Sequence, residues 1–271
     1  MKIINHRLEG EGIKIIGSPN RNGLLEPDVI VIHYTAGPDL ESTIQTFTDQ
    51  TQRVSAHLVI DRNGTLVQMV PFDVIAWHAG ESSFGDRVGL NKYSIGIEIV
   101  NAGRLTKSGD VYLAWFGKEY QEAEVMTGIH RNESVPSYWH RYTEKQIAVA
   151  RKVCMLLVQT YQIQYILGHE EISPGRKIDP GPAFPLDKFR DKILHPNRDQ
   201  DEPAKEISPI YGMVTPEKLN IRSEPVFGDN RVANPLMKDQ KVKITEASDE
   251  WYKVAVEIEG WVLKEHINTS V

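Results

Sequence analysis

The chain reads as α/β, with a mixed central β-sheet flanked by helices, followed by a small all-β barrel. Three observations predict it. Apolar β-rich runs alternate with helical periodicity through residues 1–195, a proline- and charge-rich stretch breaks the pattern near residue 196, and short β-rich runs between turn residues come after it. The expected organisation is a first domain over 1–195, a linker over 196–211 and a second domain over 212–271.

Val29-Ile30-Val31-Ile32 is a continuous apolar run, the pattern of a strand covered on both faces, and it ends at His33. Ala56–Ile60 and Thr65–Val70 flank Asn63-Gly64, a favoured tight-turn pair, and predict a hairpin. In Ser94–Ile99 the isoleucines alternate with Gly96 and Glu98, so the two sets take opposite faces of a strand. From Thr143 the period lengthens. Thr143 and Gln146 have capping-box spacing, and Ile147, Ala150, Cys154, Leu157 and Tyr161 recur at three- and four-residue steps, predicting one long amphipathic helix on the sheet. Tyr165-Ile166-Leu167 then runs into Gly168-His169, so a second histidine leaves the end of a strand. Between Pro196 and Pro209 lie many charges and one large apolar residue, Ile207, the composition of a linker. Lys241–Thr245, Trp251–Val256 and Gly260–Leu263 are the strands expected of a small barrel.

Composition removes several functional classes. With 31 Lys and Arg against 37 Asp and Glu, the net charge of −6 leaves no basic footprint for nucleic acid, which is excluded as a partner. No apolar run approaches the roughly 20 residues of a membrane span. The first residues lack the apolar core of a signal peptide, so no export signal is expected, and the chain is read as cytoplasmic or exported by a route it does not itself encode. The single cysteine, Cys154, excludes an internal disulfide and Cys-rich zinc sites, and its place on the apolar helix face marks it as core. Any metal must be held by histidine and carboxylate.

His33, His169 and Asp179 are the candidates for such a site. Both histidines follow apolar strands directly, where a side chain can be aimed over a sheet edge, and Asp179 sits among prolines and glycines in a rigid loop, Ser173 to Pro182. Two imidazoles and a carboxylate leave the open fourth position that a hydrolytic zinc needs. Glu98 is the candidate general base, with Gly96 beside it on the same face leaving space for a substrate; a salt-bridged edge carboxylate is the alternative. Lys177, two residues before Asp179, can present a cation to a tetrahedral oxyanion.

The runs Val-Ile-His33-Tyr-Thr-Ala-Gly, Ser-Ala-His57, Ala-Trp-His78-Ala-Gly, Asn91 to Asn101 and Gly-His169 through Pro-Gly-Arg-Lys177-Ile-Asp179-Pro-Gly resemble the zinc-dependent N-acetylmuramoyl-L-alanine amidases, a superfamily shared with the peptidoglycan recognition proteins. The matches run in order over roughly residues 28–190. The resemblance implies Zn²⁺ on His33, His169 and Asp179, hydroxide supplied from its bound water, Glu98 as general base and Lys177 on the oxyanion. It implies cleavage of the amide between the lactyl group of N-acetylmuramic acid and L-alanine, in peptidoglycan or in soluble muropeptides. An aspartate at the third position resembles the branch that recycles anhydromuropeptides. Two alternatives stay open: a recognition protein of the same fold that does not cut, and a zinc peptidase acting within the stem peptide.

Trp77, His78, Asn101 and Arg176 are expected as substrate-binding residues on the groove, His57 as a packed histidine, and Glu170 and Glu171 as solvated. The aromatic-rich stretch 104–142, with Tyr112, Trp115, Phe116, Tyr120, Tyr138 and Trp139, is expected to flank the substrate. In the second domain Leu219-Asn-Ile-Arg-Ser-Glu-Pro225, Trp251-Tyr-Lys-Val and Gly260-Trp-Val resemble the bacterial SH3 domains, which implies wall targeting; a barrel that only packs on the amidase is the alternative.

Overall fold

In the computed structural model of the chain, which describes residues 1–195, 210–224, 231–247 and 251–256, the apolar run at Val29 becomes an inner strand of a six-stranded sheet. The chain divides into two units, Met1–Asn197 and Arg198–Val271. The order of the sheet is Tyr165–Gly168, Val29–Tyr34, Ser94–Ile99, Leu58–Ile60, Leu66–Gln68, Ile13–Ile15. Its first four strands are parallel, the hairpin pair is antiparallel, and Ile13–Ile15 pairs in parallel with Leu66–Gln68, so the sheet is mixed.

Both faces are covered, as a continuous apolar strand requires. On one face Ile30, Ile32, Ile95 and Ile97 pack with Leu58, Ile60 and helix α2, Glu144–Tyr161, whose Ala150, Val153, Cys154 and Leu157 are fully buried. On the other, Val29 and Val31 pack with Ala79, Leu90, Leu167 and Ile172. Each large aliphatic side chain so buried contributes about 1.5–3 kcal/mol. The capping box forms: Gln146 N–H donates to Thr143 Oγ1 at 3.1 Å and Thr143 N–H to Gln146 Oε1 at 3.0 Å. Gln146 also donates from Nε2 to Val100 O at 2.8 Å, tying the helix start to the end of the Ser94–Ile99 strand.

The stretch after Asn101 is a second sheet rather than an excursion of loops. Five antiparallel strands run in the order Glu119–Tyr120, Val111–Leu113, Arg104–Ser108, Pro136–His140, Val125–Ile129. Most of its aromatic residues are therefore core. Tyr112 and Tyr120 join Leu105 and Val125 in a separate apolar cluster, Trp139 is 1 % exposed, and only Trp115 of the six, at 78 %, stands in solvent.

Two helices complete the first unit, α1 at Leu40–Thr48 and α4 at Leu186–Leu194; a single turn, α3, spans His169–Ile172. In the second unit, Ile210–Met213, Lys241–Ala247 and Tyr252–Ala255 make an antiparallel three-stranded sheet, and Lys218–Leu219 pairs with Leu236–Met237. Val214, Leu236 and Val242 form its core. Ile210 and Tyr211, expected at the end of the linker, are already in strand because they pair with Ile244 and Lys243. The rest of that linker and the expected strand Gly260–Leu263 lie outside the described residues.

Candidate functional site

Parallel pairing places the first two site residues. His33 near the end of Val29–Tyr34 and Glu98 in Ser94–Ile99 are register partners, so their side chains stand side by side on one face. His169 follows the neighbouring strand on its other side and opens α3. The third candidate ligand arrives on the loop that follows. Glu170 N–H donates to Asp179 O at 2.8 Å, Tyr142 Oη to Pro180 O at 2.8 Å, and Arg176 reaches across to Ala79 O at 2.9 Å and Ser173 Oγ at 2.7 Å. Gly181 lies at φ 69°, and a Cβ there would come within 2.7 Å of the Trp139 ring, so glycine alone lets the loop pass.

These elements bring three buried atoms together. His33 Nδ1 is 2.9 Å from His169 Nδ1 and 2.9 Å from Asp179 Oδ2, and His169 Nδ1 is 3.0 Å from Asp179 Oδ2. A triangle of that size lets one ion sit about 2 Å from all three atoms, the length of zinc bonds to nitrogen and oxygen. The outer ring nitrogens point the same way: His169 Nε2 faces Ala79 O at 3.0 Å, an acceptor, so the proton is on Nε2 and Nδ1 turns a lone pair inward. Burial, then the neighbouring His169, lowers His33 to about 4. Burial pushes Asp179 up, but bonding to His169 and His33 outweighs it and holds the carboxyl well below the usual range. These three residues form a group that could hold a metal ion.

Glu98 stands beside the triangle with Oε2 buried and without a hydrogen-bond partner among the described residues. Burial, reinforced by the charge of Asp179 and opposed by Lys177, pushes its carboxyl up to about 8. Lys177 lines a cleft of about 360 Å³ together with Arg53, Trp77, His78, His169 and Arg176. A second cleft, of about 350 Å³, is lined by Tyr34, Arg104, Leu113, Trp115 and Ile178. The ligand loop thus gives Lys177 to one cleft and Ile178 to the other.

Several sequence expectations change. The space beside Gly96 is not left for substrate: a Cβ there would lie 2.4 Å from the His78 ring, so the imidazole of His78 fills it. Asn101 does not face the groove. It is buried, donating to His140 O at 3.0 Å and accepting from Gly103 N–H at 2.8 Å. Glu170 is buried rather than solvated, with His130 Nε2 at 2.6 Å, Arg131 Nε at 2.9 Å and Gly181 N–H at 3.1 Å on its carboxylate. Glu171 accepts from Gly168 N–H at 2.8 Å and pairs with Arg190 at 2.9 Å and with Arg131. Apart from Gly168, three residues before Glu171, their partners lie further off in the chain, with His130 40 positions from Glu170 and Arg131 40 from Glu171, where no local pattern signals them. His57 packs as expected, accepting from Gly96 N–H at 3.0 Å and donating to Val74 O at 2.9 Å. Arg53 on the cleft wall carries no motif and went unread.

The model of a family described as N-acetylmuramoyl-L-alanine amidase matches residues 23–182. The chain is similar to the 1,6-anhydro-N-acetylmuramyl-L-alanine amidase AmpD of Citrobacter freundii, 37 % identical over 138 residues that cover 51 % of this chain and 56 % of that protein. It is also similar to the N-acetylmuramoyl-L-alanine amidase AmiD of Escherichia coli K12, 34 % identical over 164 residues, 58 % of this chain and 50 % of that one. The chain therefore spans about half the length of these relatives. The crystal structure of a selenomethionine derivative of AmpD matches with a TM-score of 0.50 and 27 % identity, covering 71 % of this chain and 99 % of that one.

Proposed function

Since the chain belongs to the N-acetylmuramoyl-L-alanine amidase family, we propose that it hydrolyses the amide between the lactyl group of N-acetylmuramic acid and L-alanine, in peptidoglycan or in soluble muropeptides. The observation that carries this reading is the triangle of His33, His169 and Asp179 with Glu98 beside it and Lys177 on the wall of the adjoining cleft. We assign zinc to the triangle: when bound there it polarises the amide carbonyl and acidifies the attacking water. Glu98 takes the proton of that water and delivers it to the departing nitrogen of L-alanine. Burial raises the proton affinity of this carboxyl in the metal-free chain, and the group holds the proton only between those two transfers. Lys177 presents its ammonium to the carbonyl oxygen as negative charge builds there. Trp77 and Arg176, on the cleft wall, contact the substrate, and the name of the AmpD relative adds a 1,6-anhydro sugar as one form it takes.

The test is a product assay. Purified protein incubated with a soluble muropeptide, and separately with whole sacculi, should release peptide beginning with L-alanine, identified by mass spectrometry. Unchanged substrate would favour a recognition protein, and cuts inside the stem peptide a peptidase. For residues 212–271 we propose an SH3-like module that binds wall polymer, on the strength of the Asn220-Ile-Arg-Ser223 motif. Two linked sites hold a repeating polymer at high effective concentration, so deleting residues 200–271 should reduce activity on sacculi more than on a soluble muropeptide. Equal loss on both would instead give the module a supporting role. Among the described residues no helix is long and apolar enough to cross a membrane.

A further inference from the structure

His33 has an outer neighbour whose identity matters for its inner nitrogen. We infer that His78, outside the three proposed ligands, is a positioning residue for the metal centre: its Nδ1 accepts the Nε2–H of His33 and so turns the Nδ1 lone pair of His33 toward His169 and Asp179. The inference rests on the metal reading above.

The proton positions follow link by link from the far end of the chain of contacts. His78 Nε2 lies 3.3 Å from Ser94 O and 3.3 Å from Ser94 Oγ. That hydroxyl donates to Leu90 O at 2.6 Å, so both Ser94 oxygens turn lone pairs to the ring, and His78 Nε2 must carry its proton. Its Nδ1 is then bare and sits 3.0 Å from His33 Nε2. Two bare nitrogens do not meet at that distance unless a cation lies between them, as proposed for the two inner Nδ1 atoms; here, outside the ion site, His33 Nε2 is the protonated one and its Nδ1 is free to bind. His169 reaches the same tautomer through Ala79 O. The two rings thus use different devices, a backbone carbonyl for one and an imidazole for the other.

The seat of His78 is equally specific. A Cβ on Gly96 would stand 2.4 to 2.6 Å from three atoms of the ring, and glycine at that place in the strand is what admits it. His57, whose ring centroid is 5.9 Å away, does not compete for the acceptor, because both its nitrogens are engaged by Gly96 N–H and Val74 O.

Two substitutions separate an acceptor from a space-filler. His78→Phe keeps an aromatic ring and removes the acceptor; His78→Asn shrinks the side chain but keeps an oxygen where Nδ1 was. The full chain is stripped of metal, and its Zn²⁺ dissociation constant is read by competition with a chromophoric chelator, with thermal melts of the metal-free proteins as the folding control. We expect H78F to weaken zinc binding by about 10- to 100-fold, the usual effect of losing an outer hydrogen-bond partner, and H78N to restore most of it. Gly96→Ala, which displaces the ring without altering any ligand, should behave as H78F does, and Co²⁺-loaded H78F should show an altered visible spectrum. H78F binding as tightly as the parent, or H78N binding no better than H78F, overturns the inference while leaving the metal reading intact. A parent chain that binds no Zn²⁺ overturns both.

Discussion

Two glutamates stand near Asp179, Glu170 buried and Glu98 half-buried, and the regions around them are built in opposite ways. Glu170 is surrounded by donors: His130, Arg131 and the Gly181 N–H all reach its carboxylate. Glu98 has Oε2 buried with no partner among the described residues and one opposing cation, Lys177, in its surroundings. Burial pushes both carboxyls up, but at Glu170 the surrounding donors oppose it. A buried carboxylate that is saturated is a fastener, whereas one left short of partners keeps a lone pair and a proton affinity available for chemistry.

Replacing each residue should separate the two roles. The largest effect is expected from Glu98→Ala, which should lower kcat by up to about 10⁴-fold with zinc content and melting temperature retained. Steady-state kinetics beside metal analysis checks it, and near-normal turnover would remove Glu98 from the mechanism. Glu170→Ala should do the reverse, destabilising the fold by about 1–3 kcal/mol in denaturant titration, because the buried His130 Nε2 and the Gly181 N–H lose their acceptor. Next comes Lys177→Ala, expected to reduce kcat by about 10²- to 10³-fold with little change in stability. Equal effects on kcat and melting temperature would place Lys177 with Glu170 instead.

The last effect is a pH dependence of the metal-free protein. Glu98, raised to about 8 in the folded chain from an ordinary value of 4.5, keeps a proton that the unfolded chain releases between those two values. Its contribution to stability is complete below about pH 4.5 and is lost as pH rises through 8. Glu98→Gln should therefore leave stability near pH 5 unchanged and raise it at pH 9 by on the order of 2–4 kcal/mol. Parallel pH profiles for parent and variant would show that the carboxyl ionises freely when folded.

Much of this architecture was legible in the residues, and what was not shares a cause. The strands at Val29, Ser94 and Tyr165 and the helix from Glu144 announce themselves because burial on a regular element imprints its period, and a capping box marks where α2 starts. Helix α1, Leu40–Thr48, went unread because only Thr43 and Phe47 of its nine residues are buried, too few to show a stripe. In the second sheet, strands of two to five residues are too short for alternation to stand out from an aromatic-rich coil. At the site, the residues with motif spacing stand out in the sequence, and the contacts that make Glu170 and His78 supporting residues do not. Glu170 and His130 are 40 positions apart and His33 and His78 are 45 apart, so only the folded chain brings them into register. Gly96 shows the same limit: the sequence suggests room beside Glu98, and the fold decides that an imidazole takes it.

The triangle joins His33 to residues 136 and 146 positions further along the chain. Its three corners cannot meet until the parallel strands have paired across those separations, and non-local pairing of this kind is the slow part of folding. On the proposed zinc reading, an ion captured there would act as a late clasp, favouring the folded chain by RT ln(1 + [Zn²⁺]/Kd) and doing little for any partly assembled intermediate. On that reading, hydrolytic competence would then require completed folding, so that a nascent or damaged chain would carry no hydrolytic centre.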